Sequence, residues 1–286
     1  MNKFFESILI PVDLSDNTQL AVKKGLELAG DKTVIHLLYV QTNHLPFVAR
    51  SFKEQFVNST TTLDREEIVR RLEQWKASIE ETLPVEVCTW LVPAKSIQPA
   101  IEKKAKHLSV DLIIIGKKSN HAWLPFLNTV VPSRLVQKTG IPVLTVKPGS
   151  MHNKVRKVVV PVSTKSVNDK MEIIAALAKK FKMRVYLVTI MDNHHEPIGF
   201  YASSLLQFYS WIKTSIGCPA EYAVLKGRNK AKAILNYAEK INADILLLNP
   251  ESETKIGWMN TQISDVLPPT TKFEILTVQP VHSLTI

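Results

Sequence analysis

The chain has two cysteines in 286 residues, Cys88 and Cys218, 130 positions apart and in no spacing motif. That excludes a small disulfide scaffold, and two reduced thiols are expected. No run of 18 apolar residues occurs, so no membrane-spanning helix is expected. The early apolar stretch Ile8-Leu9-Ile10-Pro11-Val12 is too short for the core of an export signal, and a cytoplasmic location is expected. There is no arginine-rich block, zinc spacing or RNA-binding signature, and nucleic acid is not an expected partner. HExxH, CxxC, a phosphate-binding Walker loop, GxSxG, a paired-carboxylate signal and nucleotidyl-transfer signatures are all missing, so the sequence names no catalytic residue. Neither does it name a metal ligand. His194-His195 is adjacent, and neighbouring side chains of an extended chain point apart and chelate one ion poorly.

What is present is a globular composition, 45% apolar and 22% charged, with a net charge of +10. The positive balance favours anionic partners: nucleotides, nucleic acid or anionic lipid. It is spread evenly: residues 1–150 carry 19 basic and 15 acidic side chains, and residues 151–286 carry 17 and 11.

The strongest signal is internal repetition. Ile8-Leu9-Ile10-Pro11-Val12-Asp13 matches Val158-Val159-Val160-Pro161-Val162-Ser163, and Ile35–Val40 matches Val185–Ile190, both at an offset of 150. Asp111–Gly116 matches Asp244–Asn249 at 133, while Asn128-Thr129 matches Asn260-Thr261 and Val143–Pro148 matches Ile275–Pro280 at 132. Five blocks in one order describe a tandem duplication, 1–150 and 151–286, with an insertion of about 17 residues around 41–60 in the first copy.

Each copy alternates apolar runs with helical periods. The spacing predicts strands at Ile8–Val12, Val34–Val40, Val85–Val92, Leu112–Ile115 and Val143–Val146. Helical stripes fall at Ala21/Gly25/Leu28, Ile68/Leu72/Trp75/Ile79 and Ile97/Ala100/Ile101/Ala105/Leu108. Their second-copy counterparts are Met171/Ile174/Ala175/Ala178, Leu205/Phe208/Tyr209/Ile212 and Ala231/Ile234/Ala238/Ile241. The expected fold is α/β: two tandem, open, doubly wound parallel sheets of five strands, flanked by helices.

In such a sheet ligands bind beyond the carboxyl ends of the strands. Asp13, after the first strand, is placed to accept hydrogen bonds from ribose hydroxyls or an adenine amine; a capping or turn role is an equal reading. Gly116, after the fourth, lets backbone N–H groups approach phosphate, or is an ordinary turn glycine. Asn128-Thr129 precedes a short helix near Val131 and Leu135, where a hydroxyl and N–H groups favour an anion, although a shared capping turn is the stronger reading. Lys117 and Lys118 either neutralise phosphate or are solvated.

Ile8–Ser15, Asp111–Gly116 and Ile141–Val146 resemble the three landmarks of the universal stress protein family, and the resemblance covers nearly the whole chain, twice. It implies a five-stranded parallel sheet and, in some members, ATP bound through Gly-x2-Gly-x9-Gly-Ser/Thr, with the nucleoside held by an Asp after strand one and by backbone at the end of strand two. Carried onto this chain, those positions are Asp13, Val40, Gly116, Ser119, Asn128 and Thr129, with Pro11, Val12 and Val130 beside them. Ser119 and Asn128 replace glycines, only the eight residues Asn120 to Leu127 lie between them, and in the second copy Ser163 replaces the Asp and Asn249-Pro250-Glu251-Ser252 the first glycines. The expected cofactor is ATP or another adenine nucleotide, bound weakly and in the first copy alone. The expected function is a non-enzymatic stress response. The alternatives are a ligand-free interaction module for an unidentified protein partner and a weak ATPase or phosphoryl-transfer enzyme. Val143–Val146 and Ile275–Val278 are apolar strands after the same turn whose exposed edges need cover, and in the family such edges pair, so an internal pseudo-dimer joined through them is expected, with a homodimer of whole chains left open.

Overall fold

A computed structural model describes residues 5–14, 16–42, 64–117, 130–150, 154–162, 168–191, 198–227, 229–250, 255–256, 261–267 and 270–279. The first copy runs β1 (Ser7–Val12), α1 (Asp16–Leu28), β2 (Val34–Thr42), α2 (Arg65–Thr82), β3 (Glu86–Ala94), α3 (Ile97–Leu108), β4 (Leu112–Gly116), α4 (Pro132–Thr139) and β5 (Val143–Val146). The second runs β6 (Lys157–Pro161), α5 (Asn168–Lys180), β7 (Arg184–Met191), α6 (Ile198–Trp211), β8 (Ala220–Lys226), α7 (Lys230–Lys240), β9 (Ile245–Leu248), β10 (Lys255–Ile256), β11 (Thr261–Gln262), α8 (Ile263–Val266) and β12 (Glu274–Thr277).

Ten strands form one open sheet in the order β3-β2-β1-β4-β5-β12-β9-β6-β7-β8. Within each half every pairing is parallel, and β5 meets β12 antiparallel, with Thr145 opposite Ile275, Leu144 opposite Leu276 and Val143 opposite Thr277. The two expected five-stranded sheets are therefore halves of one sheet, joined through the two edge strands expected to meet. Pairing covers two edges that would otherwise leave unsatisfied backbone groups. The small antiparallel pair β10–β11 lies apart from this sheet and was not foreseen.

Three apolar clusters hold the layers together. One runs unbroken beneath both halves, from Ile8, Ala21 and Leu72 through Leu144 and Leu276 to Ile174 and Phe208. The opposite face carries two separate clusters, one around Leu9, Ile101 and Leu135 and one around Leu246, Ile234 and Ile263. Asp111 and Asp244, the leading residues of a repeated block, explain why that block recurs. Asp111 accepts N–H groups of Phe5, Glu6 and Ser7 at 2.8 to 3.1 Å, and Asp244 those of Arg156 and Lys157 at 2.8 Å, which ties the start of each half's first strand to its fourth.

The α5 stripe differs from expectation. Ile173, Ile174 and Leu177 are buried, whereas Met171, Ala175 and Ala178 are only partly so. The helices themselves repeat at 152 rather than 150, Asp16–Leu28 against Asn168–Lys180, which rotates the buried face. Both cysteines are free thiols; Cys218 is buried and donates to the Met183 carbonyl at 3.1 Å.

Candidate functional site

The strand order of each half turns between its first and fourth strands, where an open α/β sheet opens a crevice. Here proline widens it. The Ser7 carbonyl accepts the Asp111 N–H, so the odd-numbered residues of β1 turn their backbone groups toward β4. Pro11 falls in that set and has no N–H to give. Pairing between β1 and β4 accordingly stops at Ile8–Leu112 and Leu9–Ile113, although β4 continues to Gly116. The second half repeats this through Pro161, with pairing only at Val158–Ile245 and Val159–Leu246.

In the first half Asp13 stands at the lip of the crevice, exposed. Thr18, third residue of α1, donates its hydroxyl to Asp13 Oδ1 at 2.7 Å and accepts the Asp13 N–H at 3.1 Å. The turn is tight: Leu14, directly after, has φ 59°, a left-handed conformation costing a non-glycine residue roughly 1–2 kcal/mol. Its side chain packs against the core, which helps hold the turn. Burial and then the Asp13 charge push the Tyr39 phenol above its ordinary pKa, so the carboxylate and the end of β2 share one neighbourhood. Val40 follows, paired with Val92 and partly buried. Across the crevice Gly116 pairs with Val146, and the Lys117 N–H continues the ladder to the Val146 carbonyl at 2.9 Å. Pro11, Val12, Asp13, Val40 and Gly116 thus gather at three neighbouring strand ends. Val130 packs its side chain into the cluster under α3 and α4. Ser119, Asn128, Thr129 and Lys118 lie outside the described residues, as do most of the 41–60 insertion, Ser163, His194, His195, Glu251, Ser252 and Asn260.

The same crevice in the second half holds a lysine. Lys170, third residue of α5 and only 3% exposed, donates Nζ to the Pro161 carbonyl at 2.7 Å. Asn249, in the place of Gly116, is buried and turns its amide onto the Val278 carbonyl at 3.2 Å.

Of the two Asn-Thr pairs only Thr261 falls among the described residues. α4 begins only at Pro132, with Val131 at its N-cap and no side-chain cap of its own, and Thr261 lies in β11. The cap comes instead from the other half: Asp265 of α8 accepts the Ser133 N–H at 3.1 Å and the Ser133 hydroxyl at 2.6 Å. Ser264 donates to the same carboxylate at 3.0 Å. Lys117 Nζ bonds the Asp265 carbonyl, and Lys147 Nζ bonds the Leu267 carbonyl at 2.8 Å. Burial lowers the pKa of Lys117, and burial together with the Lys117 charge brings Lys147 down to about 7. Among the described residues no group of three His, Cys, Asp or Glu side chains could hold a metal ion.

Comparison with known proteins decides the family. The profile of the Universal stress protein family matches residues 4–147, half of the chain. The chain belongs to the universal stress protein family. By that membership it is a stress-response protein. No curated protein matches the sequence significantly. Among solved structures it is similar to a universal stress protein from Archaeoglobus fulgidus DSM 4304, at 15% identity and a TM-score of 0.64 over 98% of both chains. A functionally unknown protein from Pseudomonas aeruginosa PAO1 superposes at 0.61 and 16% identity, over 96% of this chain and 92% of its own. The cytoplasmic domain of a prokaryotic cation chloride cotransporter does so at 0.55 and 11% identity, over 95% and 94%. At these identities the likeness is one of fold.

For this universal stress protein, the sequence singled out the residues at the lip of the first crevice and missed those that close its surroundings. Lys170, Lys147 and Asp265 sit in no motif that marks them. The one available signal was position: Lys147 continues the apolar block Val143–Val146, and Asp265 is the repeat counterpart of Ser133, 132 residues on.

Proposed function

We propose that this universal stress protein acts in the stress response by binding rather than by catalysis, as two tandem units, 1–150 and 151–286, and that the first senses an adenine nucleotide while the second takes none. The observation that carries the reading is the contrast between two equivalent crevices, one holding Lys170, with a buried Asn249 in the place of Gly116, the other lined by Asp13, Pro11, Val12 and Gly116. The adenosine end fits the first. A carboxylate at the lip suits ribose hydroxyls or an adenine amine, and main-chain groups at the end of β2, by Val40, suit the base. Ser119, Asn128, Thr129 and Val130 are the candidate phosphate-side residues. A nucleotide would supply a signal through occupancy, with no bond made or broken. Titration calorimetry on wild type, Asp13→Ala and Gly116→Val with ATP, ADP and AMP tests this. One site per chain is expected, weakened roughly tenfold or more by either substitution as charged hydrogen bonds or backbone approach are lost. Two equivalent sites, or indifference to both changes, would overturn it, and no binding at all would leave the ligand-free interaction module.

A further inference from the structure

In a sheet of this kind, the place for a phosphate beyond β4 is the N-terminus of the helix that follows, because free N–H groups and the helix dipole converge there. That helix is α4, and its N-terminus already holds an anion: the Asp265 carboxylate, on the Ser133 N–H and hydroxyl. Two lysines are committed to the same segment, Lys117 on the Asp265 carbonyl and Lys147 on that of Leu267. From these contacts we infer that Asp265, supplied by the second half, stands in for the phosphate tail and restricts the first-half site to an adenine nucleoside or a ligand with at most a short phosphate.

The inference deepens the proposed adenine site and rests on it. Asp265 is neither catalytic nor part of the lip. It acts as a specificity residue, because a di- or triphosphate reaching α4 would have to displace a carboxylate that accepts two hydrogen bonds from Ser133 and one from Ser264, and would meet its negative charge. The two lysines that would attract such a tail are turned onto carbonyl oxygens, where they cap the end of α8. The arrangement needs two different halves. Ser133 and Asp265 are repeat counterparts, so two identical copies would place the same side chain on both sides of this contact.

The test is calorimetric titration of the full chain, wild type and Asp265→Ser, which restores the first-half residue, with adenosine, AMP, ATP and inorganic pyrophosphate. Asp265→Asn, which keeps the shape and loses the charge, serves as the second variant should the first fold poorly. Wild type is expected to bind ATP no more tightly than adenosine, and both variants to gain roughly tenfold or more for ATP and pyrophosphate with adenosine unchanged. Wild type preferring ATP to adenosine, or an unchanged ATP-to-adenosine ratio in both variants, overturns the inference. If adenosine binds none of the proteins, the adenine reading fails by itself, and the pyrophosphate arm still decides: a gain in the variants upholds Asp265 as the anion in place, and no gain removes it.

Discussion

Leu144 lies directly opposite Leu276 across the seam between β5 and β12, and the two residues are 132 positions apart, the offset of the sequence repeat itself. Each therefore meets its own counterpart, and the local two-fold axis passes between them. Both are buried at 1–2% exposure in the cluster that runs beneath both halves. Leu144→Ala and Leu276→Ala should each cost about 2–5 kcal/mol in urea unfolding. Because the side chains share one packing site, the double variant should fall short of the sum by about 0.5 kcal/mol or more. Strict additivity would mean that the two leucines do not pack as neighbours.

A second contact across the seam is ionic. Lys24 on α1 is 2.9 Å from Glu274 on β12, both nearly inaccessible, and 2.6 Å from Glu27. Burial pushes Glu274 above the usual carboxylate range against the pull of Lys24, while Glu274 and Glu27 more than offset the burial of Lys24. Removing one partner of a buried pair costs about 3–5 kcal/mol, whereas replacing both with apolar groups is often neutral. Glu274→Gln should thus lower stability sharply, and Lys24→Met with Glu274→Leu should recover most of the loss. A double variant as unstable as the single one would show that the charges themselves are needed.

Lys147 gives the seam a pH dependence of known sign. Its folded pKa is about 7 and its ordinary value 10.5, so between them the unfolded chain binds more protons. Stability from this group therefore rises with pH, by up to about 1.4 kcal/mol per unit for one proton. Thermal unfolding from pH 7 to 9.5 should show wild type gaining relative to Lys147→Met. Parallel curves would mean that Lys147 keeps its ordinary pKa.

Gly149, in the turn after β5, comes so close to the second half that a Cβ there would sit 2.6 Å from the Thr271 carbonyl oxygen and 2.7 Å from Thr270 backbone atoms. Backbone cannot step aside as a side-chain tip can. Gly149→Ala should destabilise by roughly 1–3 kcal/mol, while Gly30→Ala, whose Cβ would meet only Thr33 Oγ1 at 3.9 Å, should change much less. Equal effects in chemical denaturation would remove the close-approach argument.

Strands buried on both faces announce themselves, because Ile8–Val12, Leu112–Ile115 and Val143–Val146 are apolar without a break. Their edges fell within two residues of the observed ones. The seam was legible for the same reason, since two apolar edge strands after the same turn need cover. α5 was harder: Ile173 to Ala178 is apolar on every side, so periodicity fixed a helix and left its rotation open. The polar half of the site was hidden. Whether Asp265 or Lys147 is surface or buried depends on a neighbour more than 100 residues away, which no local pattern reports. Pro11 was read as part of a motif, and its effect on the β1–β4 gap needed the direction of each backbone group.

The buried pair also governs which halves can meet. In the repeat, Glu274 corresponds to Pro142, and Lys24, ninth residue of α1, to Ala176, ninth of α5. Two first halves facing each other would each bury a lysine against proline, and two second halves would each bury a glutamate against alanine. Either mismatch breaks the cross-seam pair, leaving Lys24 only Glu27 of its own helix and depriving the buried Glu274 of its lysine. The seam is thus self-rejecting on both sides and complementary only in the mixed arrangement, so the linker joins two surfaces that already discriminate mate from twin.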